Sequence, residues 1–357
     1  MTKTARARGS RPVSLALQGG GSHGALAWGA LGTLLDAGLI IEAVSGTSAG
    51  ALNAVCLAAG LTSGGPDGGR AALDALWWEV GRAGAFSPYQ RSPLARLTGR
   101  WDLDDSPTYL WLDGLTRALS PYQTTPPCAN ILRPILERVL DLESLNASDA
   151  PRVFLTATNV RTGLPRVFTQ PDISIDAILA SAALPQMFRA IEIDGEAYWD
   201  GGFVANPALY PLVTGRDEVD LILVQTNPFH RDALPTDARA IQNRLNEVTF
   251  NAALLKDLRL LAASGRLDFN AEKGGGVRLH RIGGDEDLAE LSPSSKLLAE
   301  PAYLDRLRAR GDHDAGAFLA DHGDAIGYRT SFDPSTMLEG LVPNGSPSNH
   351  DIRKTRT

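Results

Sequence analysis

The stretch "SLALQGGGSHGALAWGAL", residues 14–31, decides how the rest of the chain is interpreted. An apolar, strand-like run ends in three glycines, and a helix-like run follows at once. The spacing Gly19-x-Gly21-x-x-Gly24 fits the dinucleotide fingerprint, in which glycines let a pyrophosphate approach a helix N-terminus. The same geometry suits the oxyanion that forms when an ester is cleaved. The rest of the sequence must therefore decide which anion the loop holds.

The composition is that of an acidic, globular chain. Its 357 residues leave room for one large domain or two ordinary ones, and a hydrophobic share of 43% can bury a substantial core. The formal net charge is -7, from 34 basic and 41 acidic side chains. Because phosphate neutralisation needs a clustered basic excess, we expect no nucleic-acid partner.

The N-terminal segment MTKTARARGSRP is basic, but no apolar signal-peptide core follows it. No apolar run reaches the roughly 18 residues of a membrane span. The two cysteines, Cys56 and Cys128, show no metal-ligand spacing and are expected to be reduced thiols. We therefore expect a cytoplasmic protein without a metal, and a peripheral contact with the inner membrane face stays open.

Apolar strand-like runs alternate with helix-like runs along the first part of the chain. This order predicts an α/β fold, with a parallel sheet covered on both faces by helices. The predicted strands are 13–18, 39–45 and 219–226, and the predicted helices are 24–37 and 49–59.

Other kinds of segment lie between these elements. Residues 61–69 are rich in glycine and predict a flexible loop. Residues 70–128 hold four of the six tryptophans and predict either a helical insertion with its own small core or a lid over a lipid-binding cleft. Two pairs of strands are predicted, 152–158 with 164–168, and the hairpin 189–199 with Asp194-Gly195 in its turn.

A long amphipathic helix is predicted from about 236 to 266. Packing on the main domain or on a second copy of the chain is favoured over a membrane surface, because acidic residues share the polar face. A homodimer therefore stays open. The polar ends, 1–12 and 336–357, predict flexible tails. The apolar positions that define the helix are Ile241, Leu245, Val248, Ala252, Leu255, Leu258 and Ala262.

The stretch "VSGTSAGALNAV", residues 44–55, separates the two interpretations of the glycine loop. A dinucleotide site predicts an acidic residue about 20 positions on, and Glu42 lies near that place. The pentapeptide 46–50, however, matches G-x-S-x-G, in which a serine on a sharp strand-to-helix turn exposes its hydroxyl. Bulky side chains two residues before or after that serine would clash across the turn. With a strand before it and a small-residue helix after it, Ser48 is the predicted nucleophile.

A nucleophile needs a base, and the histidines are poor candidates. The elbow comes after only two strands, unlike in an ordinary α/β-hydrolase, and His23 precedes Ser48, which is the wrong order for a triad. His230 is a weak candidate. The other histidines fall in polar regions that predict surface positions: His280, His313, His322 and His350.

Asp200, in "YWDGGFVANP", is the better candidate for the base. It follows a predicted strand and precedes Gly201 and Gly202, so its carboxylate can sit against a serine hydroxyl beside open backbone. Burial at such a place would raise its pKa and make it a usable base.

The three motifs, in this order, resemble those of the patatin-like phospholipase family, which has a glycine-rich oxyanion loop, a G-x-S-x-G elbow and a D-G-[GA] motif. The resemblance runs from about residue 13 to about residue 213 and includes "ASAALPQMF" at 180–188. It implies a three-layer α/β/α sandwich with a mostly parallel central sheet, followed here by a helical C-terminal extension. It also implies a Ser-Asp dyad with no catalytic histidine, no metal and no organic cofactor.

By position, the resemblance makes Ser48 the nucleophile and Asp200 the base. It assigns the oxyanion-hole backbone to Gly19, Gly20 and Gly21. Support of the elbow and of the loops falls to Gly46, Gly50, Gly24, Gly201 and Gly202. The family usually has Arg or Lys where this chain has His23, which can be neutral near pH 7. The implied role of His23 is a contact with the substrate or with the loop.

The resemblance implies a serine acyl hydrolase that cleaves fatty acyl esters of phospholipids or related lipids through an acyl-enzyme. Its catalytic domain is expected at 13–230, with 70–128 inserted, and a helical region is expected at 231–335. Three alternatives stay open. They are an esterase or thioesterase with a non-phospholipid substrate, a weakly active lipid-binding regulatory protein, and a dinucleotide-dependent oxidoreductase.

Overall fold

The structure is a computed structural model, and it describes residues 12–123, 130–269, 276–284, 288 and 291–334. Cys128, His350 and, apart from Pro12, both expected tails lie outside the described residues. Within the described ranges, no helix combines the length and the apolarity that crossing a bilayer requires.

An eight-stranded mixed sheet forms the centre of the fold. The strand order is β5-β6-β3-β2-β1-β7-β8, and β4 also pairs with β3. The sheet is parallel from β3 through β2, β1 and β7 to β8, and the pairs of β3 with β4 and β6, and of β5 with β6, are antiparallel. The strands are β1 (Val13–Leu17), β2 (Ile41–Gly46), β3 (Arg152–Asn159), β4 (Pro165–Thr169), β5 (Ile191–Ile193), β6 (Glu196–Asp200), β7 (Glu218–Val224) and β8 (Gly276–Ile282).

Helices cover the sheet on both faces, which confirms the predicted α/β/α architecture. Along β1, Leu15 and Leu17 belong to one apolar cluster, and Ala16 between them belongs to a second. Since successive side chains of a strand point to opposite faces, the sheet separates two cores. The helices are α1 (Ala25–Asp36), α2 (Ala49–Gly84), α3 (Pro93–Leu97), α4 (Pro107–Ala118), α5 (Leu132–Val139), α6 (Leu142–Leu145), α7 (Ile175–Ser181), α8 (Tyr210–Val213), α9 (Ala238–Ala263) and α10 (Pro301–His322).

The prediction of a flexible loop at 61–69 is wrong, because α2 continues through these residues. Gly64 and Gly65 have non-helical backbone angles and Pro66 follows them, so two helical segments of α2 meet here at a sharp kink. A Cβ on Gly60 would lie 2.4 Å from the carbonyl oxygen of Gly68, which shows how closely the two arms approach each other.

The aromatic-rich insertion does not build a core of its own. Trp77 is buried against the main core, and Trp101 stacks on Tyr303 of α10 with ring centroids 5.5 Å apart. Arg91 donates to Glu300 at 2.8 Å, just before α10. The insertion is therefore held by the C-terminal region, while other large side chains in it are exposed: Trp78, Phe86, Trp111 and Tyr122.

The C-terminal region is mostly helical, but it also supplies β8 to the main sheet beside β7. This strand escapes sequence analysis because Arg278 and His280 interrupt its apolar pattern. Both side chains are nevertheless buried, and they pair with Asp220 of β7.

Helix α9 confirms the predicted helix, but only the later part of the predicted apolar stripe, at Leu255 and Leu258, packs on the core. The first three positions of the predicted stripe, Ile241, Leu245 and Val248, are 43%, 55% and 49% exposed. A polar network around Glu247 and Asn251 takes the inner face at that end of the helix. The fully buried apolar positions begin at Leu254, although Phe250 already contacts Phe203, with ring centroids 5.0 Å apart.

Candidate active site

The carboxyl ends of the central parallel strands bring the three motifs to one edge of the sheet. Leu17, which ends β1, pairs with Gly46 of β2 and with Val224 of β7. Strand β6 returns antiparallel to β3, so its last residue, Asp200, stops beside Ala157. The glycine loop, the elbow and Asp200 therefore meet at this edge, which we call the catalytic edge.

Ser48 occupies a strained elbow between β2 and α2. Its φ is 56° and its ψ is -123°, a conformation that side-chain-bearing residues rarely adopt. The backbone carbonyls of Thr47 and Ser48 are both held by hydrogen bonds. Gly50 N donates to Thr47 O at 2.9 Å, and Ala51 N donates to Ser48 O at 2.9 Å. Ser48 is partly exposed among buried neighbours, so the turn presents its hydroxyl to the cleft.

The two glycines of the elbow leave no room for a side chain. A Cβ on Gly46 would lie 2.3 Å from Gly50 O, across the turn. A Cβ on Gly50 would lie 2.1 Å from Leu17 O, in the strand that leads to the glycine loop. The elbow can therefore pack against β1 only when both positions lack a side chain.

Asp200 is fully buried, and among the described residues only one of its two carboxylate oxygens has a well-formed hydrogen-bond partner. Its Oδ1 accepts the N–H of Gly202 at 2.7 Å, while no described residue makes a well-formed hydrogen bond to Oδ2. Burial raises the pKa of Asp200 to about 7, although the Gly202 N–H and the nearby Ser48 hydroxyl both favour the carboxylate. The carboxyl group faces the serine with one oxygen held and the other available.

The glycine loop is fastened from both sides at Gly19. The Gly19 N–H donates to Asn206 Oδ1 at 2.7 Å, and Gly19 O accepts from Thr226 Oγ1 at 3.0 Å and from Asn227 Nδ2 at 2.6 Å. A Cβ on Gly19 would lie 2.8 Å from Ser48 Cβ, so the loop lies directly against the serine. Asn206, Thr226 and Asn227 are positioning residues that sequence analysis missed.

Gly20 and Gly21 differ from Gly19 in their backbone donors. Within the described part of the chain, neither N–H has a hydrogen-bond acceptor. The short 3₁₀ helix Gly21–Gly24 runs straight into α1, so both groups lie at the positive end of a helical segment. Of the three glycines predicted to form an oxyanion hole, Gly19 has its N–H occupied, and Gly20 and Gly21 have theirs free.

His23 contacts the loop and the C-terminal region rather than the cleft. It is buried, and its Nε2 lies 2.8 Å from Ser295 Oγ. The Ser295 hydroxyl also donates to Ser292 O and accepts from Tyr303, and the His23 ring lies close to the Thr226 backbone carbonyl. Burial, and then the charge of Lys296, lowers the pKa of His23 to about 3. His23 is thus a neutral side chain that links the glycine loop to residues 292–303.

The stretch at 180–188 supports both members of the candidate dyad. Ser48 N donates to Ser181 Oγ at 3.1 Å, and Asp200 N donates to Ala183 O at 2.8 Å. Ser181 is fully buried at the end of α7. Its motif was visible in the sequence, but nothing there indicated that the hydroxyl would hold the elbow.

The remaining supporting glycines mark close packing around the site. A Cβ on Gly24 would lie 2.6 Å from Ala49 Cβ, where the glycine-loop helix crosses the start of α2. A Cβ on Gly201 would lie 2.0 Å from Thr156 O, and one on Gly202 would lie 2.2 Å from Phe250 Cε1 of α9. Both glycines of the Asp-Gly-Gly motif therefore let β3 and α9 close around Asp200.

Apart from His23, the histidines in the described ranges take no part in this arrangement. His230, His313 and His322 are exposed, and His230 pairs with Asp232. The prediction of a surface position is wrong for His280, which is fully buried in β8 because Asp220 and Ser331 satisfy both ring nitrogens. Among the described residues, no group of three or more His, Cys, Asp or Glu side chains is arranged to hold a metal ion.

Glu42, which the dinucleotide interpretation needs, lies at the wrong end of its strand. It is the second residue of β2, and the glycine loop lies beyond the last. Its carboxylate accepts from Ser14 at 3.1 Å and pairs with Arg216 at 2.5 Å. Glu42 therefore stabilises the opposite edge of the sheet.

A family model described as Patatin-like phospholipase matches residues 15–213. No curated protein sequence matches the chain. Among solved structures, the chain is similar to VipD from Legionella pneumophila, with 16% identity and a TM-score of 0.41, over 88% of this chain and 67% of that one. It is also similar to full-length ExoU in complex with SpcU, from the type III secretion system of Pseudomonas aeruginosa. That match has 18% identity and a TM-score of 0.31 and covers 86% of this chain and 53% of the other.

Proposed function

The chain belongs to the patatin-like phospholipase family, and from that premise we propose that it is a serine acyl hydrolase acting through Ser48 and Asp200. One observation carries the proposal. A fully buried carboxyl group, with one oxygen free of well-formed hydrogen bonds, faces a serine on a strained elbow. The substrates that this chemistry and the family support are fatty acyl esters of phospholipids or related lipids.

The first step is attack of Ser48 Oγ on the ester carbonyl carbon. Asp200 Oδ2 takes the serine proton, while the Gly202 N–H on Oδ1 keeps the carboxylate in place. A base works best when its pKa lies near the working pH, and burial brings the pKa of Asp200 to about 7. Asp200 therefore acts on the serine directly, without a histidine between them.

The carbonyl oxygen gains negative charge in this step and needs preorganised donors. In the proposal, Gly20 and Gly21 supply them through their free N–H groups at the positive end of the helical segment. Gly19 shapes the loop, because Asn206 occupies its N–H. Loss of one such donor typically lowers the rate by about 100-fold or more.

Collapse of the tetrahedral intermediate breaks the ester bond. Asp200 returns the proton to the leaving alkoxide, the alcohol departs, and the acyl group stays on Ser48. Water then attacks the acyl-enzyme, Asp200 takes a proton from that water, and the fatty acid and free serine are formed. This sequence of steps uses no metal and no organic cofactor.

Labelling with a fluorescent fluorophosphonate tests the proposal, with hydrolysis of p-nitrophenyl butyrate measured in parallel. The wild type and the control Ser331→Ala, which alters the serine bonded to His280 away from the elbow, are expected to label and to hydrolyse the ester. Ser48→Ala is expected to do neither, and Asp200→Asn is expected to be inactive while retaining its fold by circular dichroism. Equal labelling of the wild type and Ser48→Ala, or no labelling of any of them, would refute the dyad.

A further inference from the structure

The aromatic-rich insertion places two helices, α3 and α4, side by side on the surface of the molecule. Ser92, which caps α3, donates to Asp105 at 2.8 Å. Ser106, at the start of α4, donates to Gln90 O at 2.8 Å. The first turns of the two helices therefore lie next to each other.

Both helices leave large apolar side chains in solvent. Every residue of α3 and α4 is described, and each helix buries one residue, Ala95 in α3 and Tyr109 in α4. By contrast, Leu97 is 86% exposed and Trp111 is 64% exposed. Because residues two positions apart lie on nearly opposite sides of a helix, Trp111 faces away from the side on which Tyr109 is buried. The outer sides of α3 and α4 are therefore apolar where a water-facing surface would be polar.

The arginines on these helices and between them are more exposed than the acidic side chains that they pair with. The arginine side chains are 44 to 54% exposed, and their acidic partners are 14 to 32% exposed. The positive partner of each pair therefore faces outward. The pairs are Arg96 with Glu300, Arg100 with Asp105, and Arg117 with Asp113.

At the opposite edge of the sheet this order is reversed. Asp36, which ends α1, is 64% exposed, and its partner Arg70 is 30% exposed. Glu218, which begins β7, is 46% exposed, and its partner Arg278 is 3% exposed. The chain has a formal net charge of -7, yet it presents cations at the insertion and anions at the far edge. A negatively charged surface would therefore attract the insertion and repel the opposite edge.

One part of the insertion is bonded to a segment that packs on the glycine loop. Leu103 N donates to Ser294 Oγ at 3.0 Å, and Ser294 lies in the short 3₁₀ helix Pro293–Leu297. A Cβ on Gly21 would lie 2.4 Å from Lys296 O of that short helix. The insertion is therefore one segment away from the glycine loop.

A later part of the insertion is bonded to the stretch that supports the candidate dyad. Ala190 N donates to the Tyr122 hydroxyl at 3.0 Å, and Arg189 Nε donates to Pro121 O at 3.2 Å. Ala190 and Arg189 directly follow the stretch at 180–188. A surface that the insertion contacts would therefore lie beside the catalytic edge.

We propose that the outer sides of α3 and α4 dock on a lipid bilayer that carries anionic lipids. The exposed apolar side chains enter the interfacial region, where Trp is favoured, and the arginines meet the lipid phosphates. Docking requires neither Ser48 nor Asp200, so this inference goes beyond the proposed hydrolase. The insertion surface is defined as Leu94, Leu97, Trp111, Arg96, Arg100 and Arg117.

Sedimentation with sucrose-loaded vesicles tests the docking, using ether-linked lipids that an ester hydrolase cannot cleave. One set of vesicles contains phosphatidylglycerol and phosphatidylcholine in equal parts, and the other contains phosphatidylcholine alone. The wild type is expected to bind the anionic vesicles about tenfold or more tightly than the neutral ones, because several arginines face the anionic lipids. Added salt should weaken that binding, since it screens exposed charges.

Two variants and a matched control locate the surface. Trp111→Ser is expected to lower the affinity for the anionic vesicles by about tenfold, because less apolar area enters the interface. Arg117→Gln should lower it by about fivefold and reduce its salt dependence. Tyr328→Ser should bind as wild type, since Tyr328 is 61% exposed, much as Trp111 is, but follows Gly327, which is bonded to Asp220 away from the catalytic edge. Circular dichroism of each variant should match that of the wild type.

Hydrolysis of the soluble ester p-nitrophenyl butyrate separates this proposal from the hydrolase, and the variants should hydrolyse it at the wild-type rate. A wild type that hydrolyses the ester but binds neither set of vesicles refutes the docking, leaves the surface to a protein partner and leaves the hydrolase standing. A wild type that binds the anionic vesicles but does not hydrolyse the ester supports the docking and counts against the hydrolase. Equal binding to both sets of vesicles, or an equal loss in Trp111→Ser and Tyr328→Ser, also refutes docking through the insertion surface.

Discussion

At the catalytic edge of the sheet Ser48 faces Asp200. Away from that edge, Asp220 of β7, His280 of β8 and Ser331, which follows α10, form a second set of similar side chains in contact. Ser331 Oγ lies 2.8 Å from His280 Nδ1, and His280 Nε2 lies 3.3 Å from Asp220 Oδ1. We call these three residues the His280 cluster. Asp220 pairs with Val13, at the opposite end of β1 from the glycine loop. On residue types alone, this cluster resembles a catalytic triad more closely than the dyad does.

The two regions differ in whether their polar groups have hydrogen-bond partners. Asp220 Oδ1 also accepts Gly327 N–H at 2.7 Å, and Arg278 lies 3.6 Å from Oδ2. Asp220 and His280 are 3% and 0% exposed, so the cluster ties residues 327–331 to the sheet. At the catalytic edge, by contrast, Asp200 Oδ2 lacks a well-formed bond and Ser48 is strained. The proposed function thus places reactivity where polar groups are free and the backbone is strained, whereas satisfied groups stabilise the fold.

The largest expected difference between the two serines is in catalysis. Ser48→Ala is expected to lower kcat/KM for a p-nitrophenyl ester by about 1,000-fold or more, because the nucleophile is lost. Ser331→Ala should stay within about threefold of wild type, since Ser331 is bonded to His280 and lies away from the glycine loop. Steady-state kinetics of both variants measures this. A large loss in Ser331→Ala alone would reverse the assignment of the two regions.

The two aspartates are expected to affect stability with opposite signs. Burial raises the pKa of Asp200 to about 7, above the value of about 3.9 in an unfolded chain, so the folded state favours the protonated form. Wild-type stability should therefore fall as pH rises from about 4 to about 7. Asn does not titrate, so Asp200→Asn should be more stable than wild type by up to about 4 kcal/mol at about pH 8, with the difference closing towards about pH 4.

Asp220→Asn is the matched comparison for that experiment. It removes a carboxylate that Arg278, His280 and the Gly327 N–H all contact, so it should lower the free energy of unfolding by about 3 kcal/mol. Urea denaturation of both variants across this pH range measures the two effects. If Asp200→Asn were destabilised to the same extent as Asp220→Asn at every pH, the two regions would not differ as described.

The pH dependence of catalysis is the next smaller effect. Only the ionised form of Asp200 can accept the serine proton, and its pKa of about 7 places that ionisation near neutrality. Log kcat/KM should therefore rise with pH by about one unit per pH unit below about 7 and level off above it. A profile that is flat between about pH 5 and about pH 8 would contradict a base with this pKa.

The smallest effect concerns the hydroxyl that holds the elbow. Ser181→Ala removes the acceptor of the Ser48 N–H, so kcat should fall by about five- to tenfold, with KM little changed. Ser181→Thr, which keeps a hydroxyl, should recover part of the rate. If Ser181→Ala lowered the unfolding temperature without changing kcat, Ser181 would stabilise α7 and not position the nucleophile.

Most local elements could be predicted from the sequence, because their signals lie within a few residues. The strand before the glycine loop, the elbow at Ser48 and the turn at Asp194-Gly195 all have such signals, and both turn residues have a positive φ as that hairpin requires. Predictions failed where distant residues compensate for a local pattern. Residues 61–69 look like a loop but pack as a kinked helix, and β8 looks polar but its charges are paired across the sheet.

The sequence by itself determined the elbow, the three-layer fold and the candidate pair of Ser48 and Asp200, because short motifs and strand-helix alternation specify them locally. Only the tertiary structure decided which glycine N–H groups are free, since Asn206 occupies that of Gly19 from a distant loop. It also decided that His23 is a neutral link between the glycine loop and the C-terminal region, and that the backbone of Lys296 packs against Gly21. Hydrogen bonding, burial and charge compensation depend on which segments are in contact in the folded chain, and a local sequence pattern does not specify those contacts.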